Sequence, residues 1–310
     1  MAADATGTTP SRDTIEVLDA QVHLFEANGP RFPWSPAVLH DPVYAGMRGR
    51  FSASSATPSE VLATFDENDV AGALVVTPSI YGFDNSYSTD ACAVAPDRFR
   101  VVGLVDSSRP DVAEVVGTWA ADPAFVGIRL GLWQDDAVGR FFEGAEDRVF
   151  AAAQRHGLCV CVNSPGRFEV FERIARTFPD LQLVIDHLGL FSVGMLDPAV
   201  RDTFALIGGL LPLAAYENVA VKITSLPLLS REQYPFPDVW PHLVAVAEAF
   251  GVERLMWGSD GFLFGHPYTH TLDFLRASDR FGTRDKQMLL GGALRRIWRW
   301  PSTAVETDRA

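Results

Sequence analysis

Eight short apolar runs, with helical patterns between most of them, constrain this chain more than any other feature. The runs fall at 15–18, 73–76, 100–105, 126–130, 158–162, 181–185, 219–223 and 254–257, and each reads as a buried strand. Thr57-Pro58-Ser59-Glu60 reads as a capping box with proline at the first helical position. A helix over 146–156 stops at Gly157, and a helix over 168–178 sets Phe171, Ile174 and Phe178 on one face. Asp197-Pro198 reads as the cap of a further long helix. A helix over 238–250 precedes Gly251, and stretches at 271–280 and 284–300 close the chain. This alternation predicts a (β/α)8 TIM barrel. A doubly wound open sheet with a dinucleotide site would need a GxGxxG turn after the first strand, where Asp19-Ala20-Gln21-Val22-His23 stands instead.

At 310 residues, 47% of them hydrophobic, the chain can bury one large core, here read as a single domain over 15–300 with flexible ends at 1–14 and 301–310. A net charge of −13 with no basic stripe argues against nucleic acid and against anionic membranes. The apolar run at 205–215 is too short to span a bilayer and contains Pro212. No signal peptide is evident in the polar start. Cys92, Cys159 and Cys161 form no CxxC pattern and are expected as reduced thiols in a cytoplasm, the last two on opposite faces of one strand. Residues 26–56, with Pro30, Pro33, Pro36 and Pro42 among aromatics, show no clear periodicity and are expected as a long loop acting as a lid.

The stretch VLDAQVHLF, residues 17–25, ends the first strand with Asp19, Gln21 and His23 in alternation, expected on one face as a polar floor. Other strand ends add Arg129, Asn163, His187, Lys222 and Asp260. Each has a bland reading. Asn163-Ser164-Pro165-Gly166 is turn chemistry, Asp186 caps a helix or holds His187, and Asp260 after Gly258-Ser259 is a cap. Lys222 interrupts an apolar run and needs a partner. Brought together at the C-terminal mouth of a barrel, these groups indicate a site, because each desolvated polar group needs an answer.

The runs DAQVHLF, SIYGFDNSYSTDA, PDRFRVVGLVD, VGIRL, VIDHLG and WGSDGF, in this order, resemble the amidohydrolase-2 branch of the amidohydrolase superfamily, nearest the group with sugar-lactone hydrolases and the pyrone-dicarboxylate lactonase. The resemblance runs from Val17 to Trp300. It implies a distorted (β/α)8 barrel that hydrolyses an ester-like or amide-like bond or removes a carboxyl group. The usual strand-one HxH motif is Gln21-x-His23 here, and the strand-five histidine is replaced by Asn163. His187 and Asp260 match the strand-six histidine and strand-eight aspartate.

The expected function is hydrolysis of a small lactone or similar cyclic ester, with no cofactor. Asp260 is expected to activate water, while His23 and His187 with Arg129 or Lys222 polarise the carbonyl. Gln21 is expected to bind substrate or hold His23, Arg129 and Lys222 to receive a carboxylate-bearing small-molecule substrate, and Asn163 to contribute to binding. Phe25, Trp34, Tyr81 and Asn85 are expected to overhang the mouth, with Met47 to Arg50 in the lid. The alternatives are a metal-dependent amidohydrolase or decarboxylase holding Zn or Mn on His23, His187 and Asp260, or a barrel that binds a small molecule without turnover. A homo-oligomer is compatible with all of these.

Overall fold

All eight expected strands are present, and each pairs in parallel with the next along the chain: β1 (Val17–Val22), β2 (Val70–Val76), β3 (Phe99–Leu104), β4 (Phe125–Gly131), β5 (Cys159–Asn163), β6 (Leu183–Ile185), β7 (Val219–Ile223) and β8 (Leu255–Trp257). The computed structural model describes residues 15–41, 44–190, 202–262, 265–298 and 300. The expected ends at 1–14 and 301–310, and Asp197-Pro198, lie outside the described residues. With surrounding helices the strands make a (β/α)8 barrel.

The helix signals are realised locally. Thr57 accepts from the Glu60 N–H while the Glu60 carboxylate accepts from the Thr57 N–H, which starts helix Pro58–Glu67. Helix Asp147–His156 ends on Gly157 at φ 70°, a left-handed conformation that glycine adopts without steric cost. Helices Ser86–Val94, Val112–Ala121 and Asp135–Phe142 add to the expected set. Three-ten turns at Thr203–Gly209 and Leu211–Ala215 stand where the long helix after Asp197-Pro198 was expected to continue; Pro212 lacks the N–H that an α-helix interior requires. Helix Tyr268–Arg276 begins before the expected stretch, and Thr283–Gln287 passes through a π-turn at Met288–Gly292 into Ala293–Ile297.

Two apolar layers hold the barrel. Leu18, Ala20, Leu74, Val102, Val184 and Met256 fill its interior, which Leu294, Ile297, Trp298 and Trp300 pack against. Cys159 and Cys161 both belong to this interior layer, against the expectation of opposite faces. The period of a strand is two, so residues i and i+2 share a face. All three cysteines are buried thiols, and burial pushes Cys92 and Cys161 up to about 12. The second layer joins the outer strand faces to the helices.

The seam between β8 and β1 sets the site. Asp260 N–H donates to Gln21 O at 2.9 Å, and Ser259 N–H donates to Asp19 Oδ1 at 2.9 Å. A β-carbon at Gly258 would lie 2.8 Å from the Gln21 nitrogen, so only glycine permits this approach. The register of β1 shifts between Asp19 and Val22. Asp19 therefore does not share a face with Gln21 and His23. It lies on the helix side, where Tyr268 Oη donates to its Oδ2 at 2.9 Å. Gln21 and His23 turn into the barrel.

Residues 26–56 correct the expected structureless loop. They carry helices Pro36–His40 and Ala45–Ala53, and an antiparallel bridge from Phe25 to Ala56 closes the base. Phe25 meets Phe51 edge to face at 4.6 Å, and Trp34 Nε1 donates to Glu26 O at 3.1 Å. Phe25, Phe32, Trp34, Val38 and Phe51 are buried and join the layer outside the strands, while Pro30, Pro33 and Pro36 are exposed.

Candidate active site

Three strand ends reach the mouth through strained backbone. His187 after β6, Ser225 after β7 and Asp260 after β8 have φ of 54°, 61° and 47°. Left-handed backbone costs a non-glycine residue ~1–3 kcal/mol and tends to persist where function needs it. These three residues form one hydrogen-bonded group.

Asp260 Oδ2 accepts a short hydrogen bond from Ser225 Oγ. Ser225 Oγ lies 3.0 Å from His187 Nδ1, and Thr224 Oγ1 lies 2.7 Å from the same nitrogen. Arg129 donates through Nη2 to His187 Nε2 at 3.4 Å and through Nε to Asp186 Oδ2 at 2.8 Å. The other Asp186 oxygen is 3.0 Å from Lys222 Nζ, which also donates to Gln21 Oε1 at 2.7 Å. The Gln21 amide nitrogen then faces His23 Nε2 at 3.3 Å, and His23 Nδ1 meets Val76 O at 2.7 Å. Asp260 Oδ1 is 3.6 Å from His23 Nε2, buried, and without a hydrogen-bond partner among the described residues.

This network fixes the protons. A backbone carbonyl only accepts, so His23 carries hydrogen on Nδ1 and a lone pair on Nε2. A guanidinium only donates, so His187 Nε2 is likewise a lone pair and its Nδ1–H points to Thr224 and Ser225. Burial, with the Arg129 charge next, pushes His23 down to about 3, and burial takes His187 well below the usual histidine range. Both rings are neutral near pH 7. Burial pushes Asp260 up to about 7, against the Ser225 hydrogen bond and the Arg129 charge. Asp186 is equally buried, yet Lys222 and Arg129 hold it well below the usual carboxylate range.

The structure thus gathers Gln21, His23, Arg129, His187, Lys222 and Asp260 into one cluster. Lys222 is fully buried, engaged by Gln21 and Asp186, with Trp298 5.6 Å away. Asn163 ends β5 half-buried, and its carbonyl accepts from Leu132 N–H. The four expected shape residues make the following contacts. Phe25 and Trp34 pack within 26–56, Tyr81 Oη accepts from Glu26 N–H at 3.1 Å, and Asn85 binds the Leu104 N–H and carbonyl. Arg48 caps carbonyls of Val38 and Asp41. A cleft over Asp260 is lined by Ser225, Leu228, Ser259, His266 and Tyr268. In the sequence, Ser225 before Leu226-Pro227 has the pattern of a helix cap. Its side chain makes no capping bond here.

The arrangement does not suit a divalent metal. A catalytic zinc takes about three protein donors. The Gln21 amide nitrogen faces the lone pair of His23 Nε2, and the Arg129 guanidinium faces that of His187. Asp260 Oδ1 has no hydrogen-bond partner among the described residues, and the Arg129 charge acts on its carboxylate. Among the described residues no group of three or more His, Cys, Asp or Glu side chains is placed to hold a metal.

The amidohydrolase family model matches residues 18–300. An L-fucono-1,5-lactonase from Burkholderia ambifaria is 29% identical over 254 residues, covering 78% of this chain and 79% of that protein. An amidohydrolase from Burkholderia multivorans with bound HEPES superposes with a TM-score of 0.75 at 20% identity, over 92% of this chain and all of that one. A second structure of it, with bound zinc, gives the same TM-score at 18% identity. A probable 2-pyrone-4,6-dicarboxylic acid hydrolase from Acinetobacter baumannii, with citric acid bound, gives 0.71 at 17% identity, over 92% of this chain and 99% of that one. At these identities the solved structures share the barrel.

Proposed function

The chain belongs to the amidohydrolase family, and we propose that it hydrolyses a small lactone without a metal, with Asp260 as general base. The observation that carries this reading is Asp260 Oδ1, a buried carboxylate oxygen at the mouth whose hydrogen-bonding capacity no described residue fills. A group titrating at about 7 is matched to taking and returning a proton near neutral pH.

Oδ1 takes a proton from water as its oxygen adds to the lactone carbonyl. The carbon–oxygen bond of the ring then breaks, and the proton on Oδ1 passes to the departing alkoxide. The product is the open hydroxy acid. His23 and His187 present lone pairs rather than N–H groups at Nε2, so polarising the carbonyl falls to Arg129, whose Nη1 has no hydrogen-bond partner among the described residues. The neutral imidazoles place no positive charge beside Asp260, which preserves its basicity. Lys222 acts from below by fixing Gln21 and Asp186. With Nε on Asp186 and one Nη2 hydrogen on His187, Arg129 keeps both Nη1 hydrogens for a carbonyl oxygen. A neutral sugar-type lactone is the first class to test, because the chain is similar to an L-fucono-1,5-lactonase.

The test is a panel read by acid release: L-fucono-1,5-lactone, 2-pyrone-4,6-dicarboxylic acid and an unsubstituted five-membered lactone. Turnover of the sugar lactone with slower turnover of the dicarboxylate is expected. Binding without acid release from any member would leave a non-catalytic barrel.

A further inference from the structure

We infer that Ser225 is a positioning residue that dictates which oxygen of Asp260 receives the proton. The inference rests on the reading of Asp260 as base.

A hydroxyl has one hydrogen and two lone pairs. The hydrogen of Ser225 goes to Asp260 Oδ2. Its lone pairs face His187 Nδ1 at 3.0 Å, which carries a hydrogen because Arg129 faces the other ring nitrogen. A directed chain results: His187 Nδ1–H is shared between Thr224 Oγ1 at 2.7 Å and Ser225 Oγ at 3.0 Å, and Ser225 Oγ–H goes to Asp260 Oδ2. It occupies Oδ2 and leaves Oδ1 facing His23 as the open oxygen. A carboxylate turns freely about its last torsion unless one oxygen is held. Without Ser225 the two oxygens can exchange places and the base loses its aim.

The backbone supports the same assignment. Ser225 stands at the N-terminus of the short helix Leu226–Leu229, where serine ordinarily bonds a backbone N–H of the first turn. Here it makes no such bond. It is buried at φ 61°, a conformation that carries its hydroxyl toward β6 and β8. Glycine would hold this backbone with less strain. Serine at this position sacrifices local stability for a hydroxyl in the site.

The experiment compares Ser225→Gly, Ser225→Ala, Asp260→Asn and the double variant Ser225→Gly/Asp260→Asn, on whichever panel lactone the parent hydrolyses fastest. Ser225→Gly should be at least as heat-stable as the parent and lose kcat on the order of 10²-fold, the usual effect of a misaimed catalytic group, with KM within a few-fold. Ser225→Ala should lose kcat similarly. The double variant should be no slower than Asp260→Asn alone, because Ser225 acts through Asp260. Parent-like kcat in Ser225→Gly overturns the inference, and so do losses that multiply in the double variant. Parent-like turnover by Asp260→Asn would instead overturn the assignment of the base, and this inference with it.

Discussion

Lys222 Nζ and Asp186 Oδ1 form an ion pair at 3.0 Å with both side chains removed from solvent. Arg129 adds a second cation to the same carboxylate at 2.8 Å. Breaking a buried pair by deleting one partner leaves an uncompensated charge. Lys222→Met should therefore destabilise the fold by ~3–5 kcal/mol, seen as a lower midpoint in urea with an unchanged slope. A midpoint within error of the parent would mean that Arg129 alone satisfies Asp186.

Activity and stability should respond to pH in opposite directions through Asp260. In the proposed role of base it must be a carboxylate, so kcat/KM should rise from acid pH through an apparent pKa near 7 and then level. Its folded value lies above the ordinary 3.8. Stability from this group is therefore complete below 3.8 and is lost as pH rises through about 7. Asp260→Asn should be more heat-stable than the parent at pH 8, by a margin that narrows progressively as pH falls toward 3.8. A parent more stable than Asp260→Asn at pH 8 would contradict the buried, proton-favouring environment.

Arg129→Lys keeps a positive charge near Asp186 and removes the guanidinium edge proposed to meet the carbonyl. On a neutral lactone, kcat/KM should fall ~10²–10³-fold, the range for loss of an oxyanion donor, mostly in kcat. A loss confined to KM would assign Arg129 to ground-state binding.

The barrel was legible because strand ends announce themselves: apolar runs stop at Gln21, Arg129, Asp186, Lys222 and Asp260, and the topology then brings those ends together. What escaped depended on local geometry. Asp19 has the parity of Gln21 and His23, and only the register shift in β1 turns it to Tyr268. Ser225 looks like a cap until its left-handed backbone is known. Phe25 and Trp34 are as suited to lining a mouth as to filling a core, and the bridge between Phe25 and Ala56 decides for the core. Carbonyl polarisation by His23 or His187 needs a ring N–H at the mouth. Those protons are directed away by Val76, Thr224 and Ser225.

Gln21→His tests why strand one carries an amide. The amide nitrogen faces the lone pair of His23 Nε2. Replacing it with a second imidazole on the same strand face frees that lone pair and, with Asp260 Oδ1, supplies three donors of types zinc accepts. Equilibrium dialysis should show tighter zinc binding than the parent. Unchanged affinity would mean that Lys222, left beside the new ring, opposes the metal.

Turnover by parent and Asp260→Asn protein after exhaustive dialysis against a chelator, with residual metal measured on the same samples, tests the central claim most directly. The parent should keep its kcat with metal far below one equivalent, while Asp260→Asn falls ~10²–10⁴-fold. Loss of parental activity on dialysis and its return with stoichiometric zinc or manganese would contradict the account.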